Sequence, residues 1–170
     1  HLDLTKLTEE EKDGIYILPA DTPVGVPAKD VLGLDDVVLE FELTANRGDC
    51  FSVIGLVREI AVLTGNKPKW PAIVCNEDDA AKAADMVSIG IEARDLCDRF
   101  SARVIKNVKI GPAPEWMQQR LEGAGIRAIN NVVDVTNFVM IELGQPMHAY
   151  DYDEITGHTL TARLAKEGEN

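Results

Sequence analysis

Residues 130–146 read Asn-Asn-Val-Val-Asp-Val-Thr-Asn-Phe-Val-Met-Ile-Glu-Leu-Gly-Gln-Pro, and the way this run folds decides the class of the chain. Its β-branched content suits a strand as well as a helix. Period and end signals favour a helix from about Val132 to Leu143. Val132, Val135, Val139 and Leu143 recur at helical spacing on one face. Asn130 and Asn131 offer side-chain oxygens to the free amides of a first turn. Gly144 ends the run, and Pro146 forbids its continuation.

Working outward, Val53, Leu56, Val57, Ile60 and Leu63 predict a second helix, with Asp49 as its N-cap and Gly65 as its left-handed C-cap. Pro114 suits a first helical position, and Trp116, Met117, Arg120 and Leu121 carry that helix towards Gly123 and Gly125. A short helix is expected within Leu2–Lys12. Strands are expected at Gly14–Pro19, Val37–Leu43, Met86–Glu92 and Phe100–Ile110, the last broken by a turn at Lys106-Asn107. Pro19, Pro23, Gly25 and Pro27 mark loop, Asp95–Asp98 a polar turn, and Pro68 and Pro71 a connection between units. The class is therefore α+β, with mixed, largely antiparallel strands, several helices and parts of two domains.

The 170 residues carry a net charge of −12, with 45% apolar and 27% charged side chains. That balance is too apolar for intrinsic disorder and too acidic for a protein that coats nucleic acid nonspecifically. A small local contact to RNA remains compatible with it. Neither a membrane-spanning run nor an export signal is present to read. Cys50, Cys75 and Cys97 form no Cys-x-x-Cys pair, so no zinc or redox motif appears, and scattered thiols fit a reducing cytoplasm. No His-x-x-x-His pair or phosphate-cradling glycine loop is present, and no metal site is expected.

Two runs stand out as carriers of chemistry. In Gly144-Gln145-Pro146-Met147-His148-Ala149-Tyr150-Asp151, His148 sits on a loop behind a helix end and a proline. Its imidazole can orient water, donate to a carbonyl oxygen or hold a ribose hydroxyl, or it can merely satisfy loop carbonyls beside Asp151. In Gly125-Ile126-Arg127-Ala128-Ile129, Arg127 lies between two helices. Its guanidinium can grip phosphate or carboxylate, or bridge Asp134 or a helix C-terminus. Asp134 and Thr136 are expected to face solvent or to make local bonds. Trp116 is expected in the core. Arg47-Gly48-Asp49 matches an adhesion tripeptide, but a turn followed by an N-cap accounts for it without a partner.

Taken in order, several runs resemble the β subunit of bacterial phenylalanyl-tRNA synthetase. They are Gly14–Pro19 with Pro23-Val24-Gly25, Glu42-Leu43-Thr44-Ala45-Asn46-Arg47-Gly48-Asp49-Cys50, Arg58-Glu59 and Leu63-Thr64-Gly65. Phe100-Ser101-Ala102-Arg103-Val104, Gly125-Ile126-Arg127, Asn131–Asn137 and Glu142–Asp151 continue the series. The resemblance implies that residues 1–38 are the end of an OB-type tRNA-binding insertion. It makes 39–68 the second half of a split N-terminal domain and 75–170 the first part of an editing domain.

It further implies a role within phenylalanine–tRNA ligase, an aminoacyl-tRNA synthetase of two α and two β chains acting on tRNA(Phe) in the cytoplasm, away from any membrane. ATP and magnesium would serve the α subunit, with no cofactor in this segment. The β subunit of the family hydrolyses tyrosine wrongly joined to tRNA(Phe). His148 matches the histidine of its Gly-Gln-Pro-x-His-Ala-x-Asp run, a catalytic position. Arg127 matches its Gly-Ile-Arg arginine, a substrate-binding position. The family's tyrosine-recognising glutamate would lie beyond Asn170, so the isolated segment is expected to be inactive. The alternative reading is a scaffold and RNA-interaction segment without chemistry of its own.

Overall fold

The structure, a computed structural model, describes residues 14, 17–18, 20–33, 36–77 and 80–169. The helix expected within Leu2–Lys12 and most of the strand expected at Gly14–Pro19 lie outside them. The chain divides into two units, His1–Glu40 and Phe41–Asn170. Among the described residues of the first unit, a short helix, α1 (Ala28–Val31), starts behind Pro27, whose carbonyl accepts from the Asp30 amide at 3.0 Å.

The second unit runs through α2 (Val53–Thr64), β1 (Ser88–Ile91), α3 (Glu115–Gly123), α4 (Asn131–Leu143) and β2 (Thr159–Ala162). The α+β class stands. The expected antiparallel pairing does not, because β1 and β2 form a two-stranded parallel sheet with Ser88 opposite Thr159 and Ile91 opposite Ala162. The connection explains the direction. Parallel neighbours need a long crossover, and here the crossover contains α3 and α4.

Two expected strands are corrected as well. Val37–Leu43 and Phe100–Ile110 hold no strand. Alternation says which side chains would share a face, but a ladder also needs a partner, and among the described residues only β1 and β2 pair. The turn at Lys106-Asn107 is present, with Asn107 at φ +58°, a conformation its short amide tolerates.

The helices follow their end signals closely. Gly65 and Gly144 both adopt left-handed φ, at +70° and +73°. Asn130 caps α4, its side-chain oxygen accepting from the amides of Val132 and Val133 at 3.0 Å each. The cap of α2 is Ser52, not Asp49. Ser52 is extended, and its hydroxyl accepts from the Gly55 amide at 3.1 Å. Asp49 sits instead inside a 3-10 turn, Gly48–Cys50, with its carboxylate held by Arg47.

The core is small. Ala113, Met117 and Leu121 are buried, and Ile126, Phe138 and Ile141 pack against them. The face that α4 turns to α3 is therefore Phe138 and Ile141, whereas Val135, on the apolar face read from the spacing, is exposed. A helix this apolar all round, packed against both α2 and α3, leaves its buried side undetermined by period alone. Trp116 is half exposed and meets Phe138 edge to face at 5.3 Å between ring centroids.

Gly55 is where the turn and α2 come closest. A Cβ there would lie 1.9 Å from the Asp49 carbonyl oxygen, whereas one at Gly48 would meet nothing within 4 Å. Gly55→Ala should therefore lose roughly 1–3 kcal/mol through overpacking, despite the better helix propensity of alanine. Gly48→Ala should stay within about 0.5 kcal/mol of the parent in urea unfolding.

Candidate functional site

The His148 loop is built from the last turn of α4. Gly144 turns the chain left-handed while its amide donates to the Met140 carbonyl at 2.9 Å. Residues 145–151 then run without secondary structure. At the far end, Asp151 caps the 3-10 turn Tyr152–Glu154 by accepting from the Asp153 amide, and the Tyr152 hydroxyl donates to the Met86 carbonyl at 2.9 Å beside β1. His148 lies between these anchors, exposed, with its ring edge-on to Tyr150 at 4.5 Å. It makes no hydrogen bond to a described residue, so its two ring nitrogens are open to a ligand. Asp151 is engaged with the backbone rather than with His148.

The Arg127 loop is built from the end of α3. Gly125, at φ +80°, stands just past the helix; its amide donates to the Glu122 carbonyl, and the Ile126 amide donates to Leu121, both at 2.9 Å. This is a Schellman arrangement, and Ile126 packs back on the core that holds Leu121. Three residues on, the Ile129 amide donates to Asp134 Oδ1 at 2.8 Å. Arg127 projects from between these fixed points, exposed and without an ion pair among the described residues.

Asp134 is thus not a surface partner for Arg127. It is 1% exposed, and its Oδ2 has no hydrogen-bond partner. Thr136 does bond locally, donating to the Val133 carbonyl at 2.7 Å. Asn131 leaves capping to Asn130 and instead grips the preceding chain. Its Oδ1 accepts from the Gly111 amide at 3.3 Å, and its amide nitrogen donates to the Lys109 carbonyl at 2.9 Å.

Arg127 and His148 flank opposite ends of α4, a helix of 13 residues, and such a length spans about 20 Å. No hydrogen bond, ion pair or ring contact joins them. A cavity of about 80 Å³ lies among α2, Lys69–Pro71 and the last turn of α4, lined in part by Val57, Trp70, Glu142 and Leu143. Arg58 stands over the Trp70 ring at 5.6 Å. Neither predicted site residue lines that cavity. Sequence reasoning missed the Tyr152–Met86 bond, which joins residues far apart in the chain, and the burial of Asp134, which depends on how the loop before α4 folds back over it. Among the described residues, no three His, Cys, Asp or Glu side chains are placed to hold a metal ion.

The Arg47 turn is a separate, closed cluster. Arg47 holds Asp49 in a fork at 3.0 and 2.8 Å, reaches Glu59 at 2.9 Å and lies 3.0 Å from the Cys50 sulfur. Its guanidinium and the Asp49 carboxylate are committed to each other, which disfavours presenting Arg47-Gly48-Asp49 to an adhesion partner. Burial pushes the Cys50 thiol above its ordinary pKa.

The family described as B3/4 domain matches residues 96–170. The phenylalanine–tRNA ligase beta subunit of Moorella thermoacetica is 48% identical over 168 residues, 99% of this chain and 21% of that protein. The corresponding subunit of Clostridium tetani is 51% identical over 164 residues, 96% of this chain and 20% of that protein. The Bacillus cereus subunit is 47% identical over 168 residues, again 99% and 21%. This chain is similar to the phenylalanine–tRNA ligase β subunit. It spans about a fifth of the length of these β subunits, whose name makes them part of a ligase. Among the described residues no helix is long and apolar enough to cross a membrane.

The Arg47 fork sets a measurable titration. Hydrogen bonding from Arg47 lowers the Asp49 pKa from 3.8 to about 2. A carboxylate depressed in the folded state adds stability that is complete above its unfolded pKa and is lost as pH falls through the folded one. Here that window runs from 3.8 down to about 2. Carboxyl carbon shifts followed by NMR should show Asp49 titrating near the lower value, and Arg47→Met should return it towards the upper one.

Proposed function

We propose that this chain works as part of a phenylalanine–tRNA ligase β subunit, where it contributes to tRNA binding and to hydrolysis of tyrosine wrongly joined to tRNA(Phe). The observation that carries the reading is identity of 47–48% over 168 of the 170 residues to β subunits of that ligase. In this reading residues 1–38 close an OB-type insertion, 39–68 complete a split domain and 75–170 begin the editing domain. The partners are an α subunit, in an assembly of two α and two β chains, and the tRNA, in the cytoplasm. ATP and magnesium belong to the α subunit, and no step described for this chain runs through them.

The physical need for a second site is plain. An apolar pocket shaped for phenylalanine rejects one added hydroxyl only weakly, whereas a site that bonds that hydroxyl selects for it. Water then attacks the ester carbonyl carbon, the bond from that carbon to the ribose oxygen breaks, and tyrosine leaves with a ribose hydroxyl restored. His148, exposed and without a hydrogen bond to a described residue, orients the water or supplies a proton to the leaving oxygen. Arg127, without an ion pair among the described residues at the other end of α4, holds a phosphate of the extended tRNA terminus.

In the intact ligase, His148→Ala should slow deacylation of tyrosyl-tRNA(Phe) by about 10²-fold or more while phenylalanine charging persists. Isotope-labelled tyrosyl-tRNA measures the first and aminoacylation the second. Unchanged deacylation would remove the histidine from the chemistry and leave this segment a scaffold.

A further inference from the structure

Arg127 has no described side-chain partner, yet a phosphate-binding guanidinium needs a defined origin. That origin comes from the backbone on either side. Upstream, the Ile126 amide is fixed to the Leu121 carbonyl of α3 at 2.9 Å. Downstream, the Ile129 amide is fixed to Asp134 Oδ1 at 2.8 Å. Only Arg127 and Ala128 lie between the two anchors. The first is ordinary helix-end chemistry. The second is not, because it uses a carboxylate that is 1% exposed and whose other oxygen, also buried, has no partner.

A buried carboxylate is costly unless it is bonded. Asp134 lies in the first turn of α4, where the unsatisfied amides and the helix dipole favour negative charge. Asn130 already takes the amides of Val132 and Val133, and the Asp134 amide donates to the Asn130 carbonyl at 2.8 Å. Asp134 is thus unnecessary as the helix cap. Its side chain reaches back past the cap to bond the last loop amide before it.

We infer that Asp134 is a positioning residue: through the Ile129 amide it fixes the loop that carries Arg127, and so sets the affinity of that arginine for the substrate's phosphate. This rests on the editing reading above and deepens it by adding a residue that never touches substrate.

The test uses the intact ligase and compares Arg127→Ala, Asp134→Ala, the double variant and Asp134→Asn in tyrosyl-tRNA deacylation. Asp134→Ala strands the Ile129 amide and should raise KM about tenfold with little change in kcat. The double variant should match Arg127→Ala within about twofold, because an arginine already absent cannot be mispositioned. The amide oxygen of Asp134→Asn still accepts from Ile129, so its KM should stay within about twofold of the parent. That variant also decides the matter if Asp134→Ala does not assemble.

Losses that multiply in the double variant would overturn the inference, since they mark a general effect on folding. A tenfold rise in KM for Asp134→Asn would do the same, since it would make the charge and not the acceptor the cause. A sensitive Arg127 with an insensitive Asp134 overturns this inference alone. An insensitive Arg127 overturns the arginine's own role and this inference with it.

Discussion

Leu121 is the point on which the second unit closes. Its side chain is 1% exposed, its neighbours Ala113 and Met117 are buried with it, and its carbonyl accepts the Ile126 amide that ends α3. Fully burying one leucine contributes roughly 1.5–3 kcal/mol, whereas an exposed ion pair contributes about 0–1 kcal/mol. The apolar contact therefore outweighs any of the surface pairs in holding α3 to α4. It also does something the pairs cannot. By bringing Ile126 back onto the helix that precedes it, the same residue sets where the Arg127 loop begins.

The charged groups organise the surface rather than the core. Arg47 with Asp49, Arg103 with Glu77, and Arg163 with Glu169 each tie an arginine to a carboxylate at partly or fully exposed positions. Glu169 is held down to about pKa 2 by the Arg163 fork. In a chain of net charge −12, each such pairing withdraws a cation from any contact with phosphate. Arg127 is not withdrawn in this way. A locally free guanidinium on an acidic chain suits a single directed contact and not a broad electrostatic footprint.

What was legible in the sequence follows the range of the interaction that decides it. The C-terminal ends of α2 and α4 and the start of α4 are written in residues within four positions of the boundary, so Gly65, Gly144 and Asn130 could be read directly, whereas the start of α2 offered both Asp49 and Ser52. The strand expected at Val37–Leu43 fails because alternation cannot name a partner. The partners that do pair, β1 and β2, lie some seventy residues apart in sequence, and nothing local in either announces a parallel register. Of the two expectations for Asp134, the local bond holds, to the Ile129 amide, and the solvent-facing side chain does not. An acidic residue in a helix first turn looks solvent-facing until the backbone amide that buries it has been placed. His148 and Arg127 stood out through glycine, proline and motif context, and both are on exposed loops. The anchor of Tyr152 on Met86 was invisible because only the fold brings those residues together, whereas Asp134 and Ile129 are sequence neighbours whose bond needs the particular path of the loop between them.

The two loops share a construction. Each starts at a glycine in left-handed conformation that ends a helix, Gly125 after α3 and Gly144 after α4. The first is pinned again at Ile129, whose amide donates to Asp134, and the second at its far end, where Asp151 accepts from the Asp153 amide and the Tyr152 hydroxyl donates to Met86. Between the pins, neither His148 nor Arg127 makes a side-chain hydrogen bond to a described residue. A short span fixed at both ends leaves little backbone freedom to lose when a ligand binds. An unbonded side chain has no internal partner to give up. The arrangement leaves the hydrogen-bonding capacity of His148 and Arg127 uncommitted among the described residues, and α4 sets the separation between the two loops that carry them.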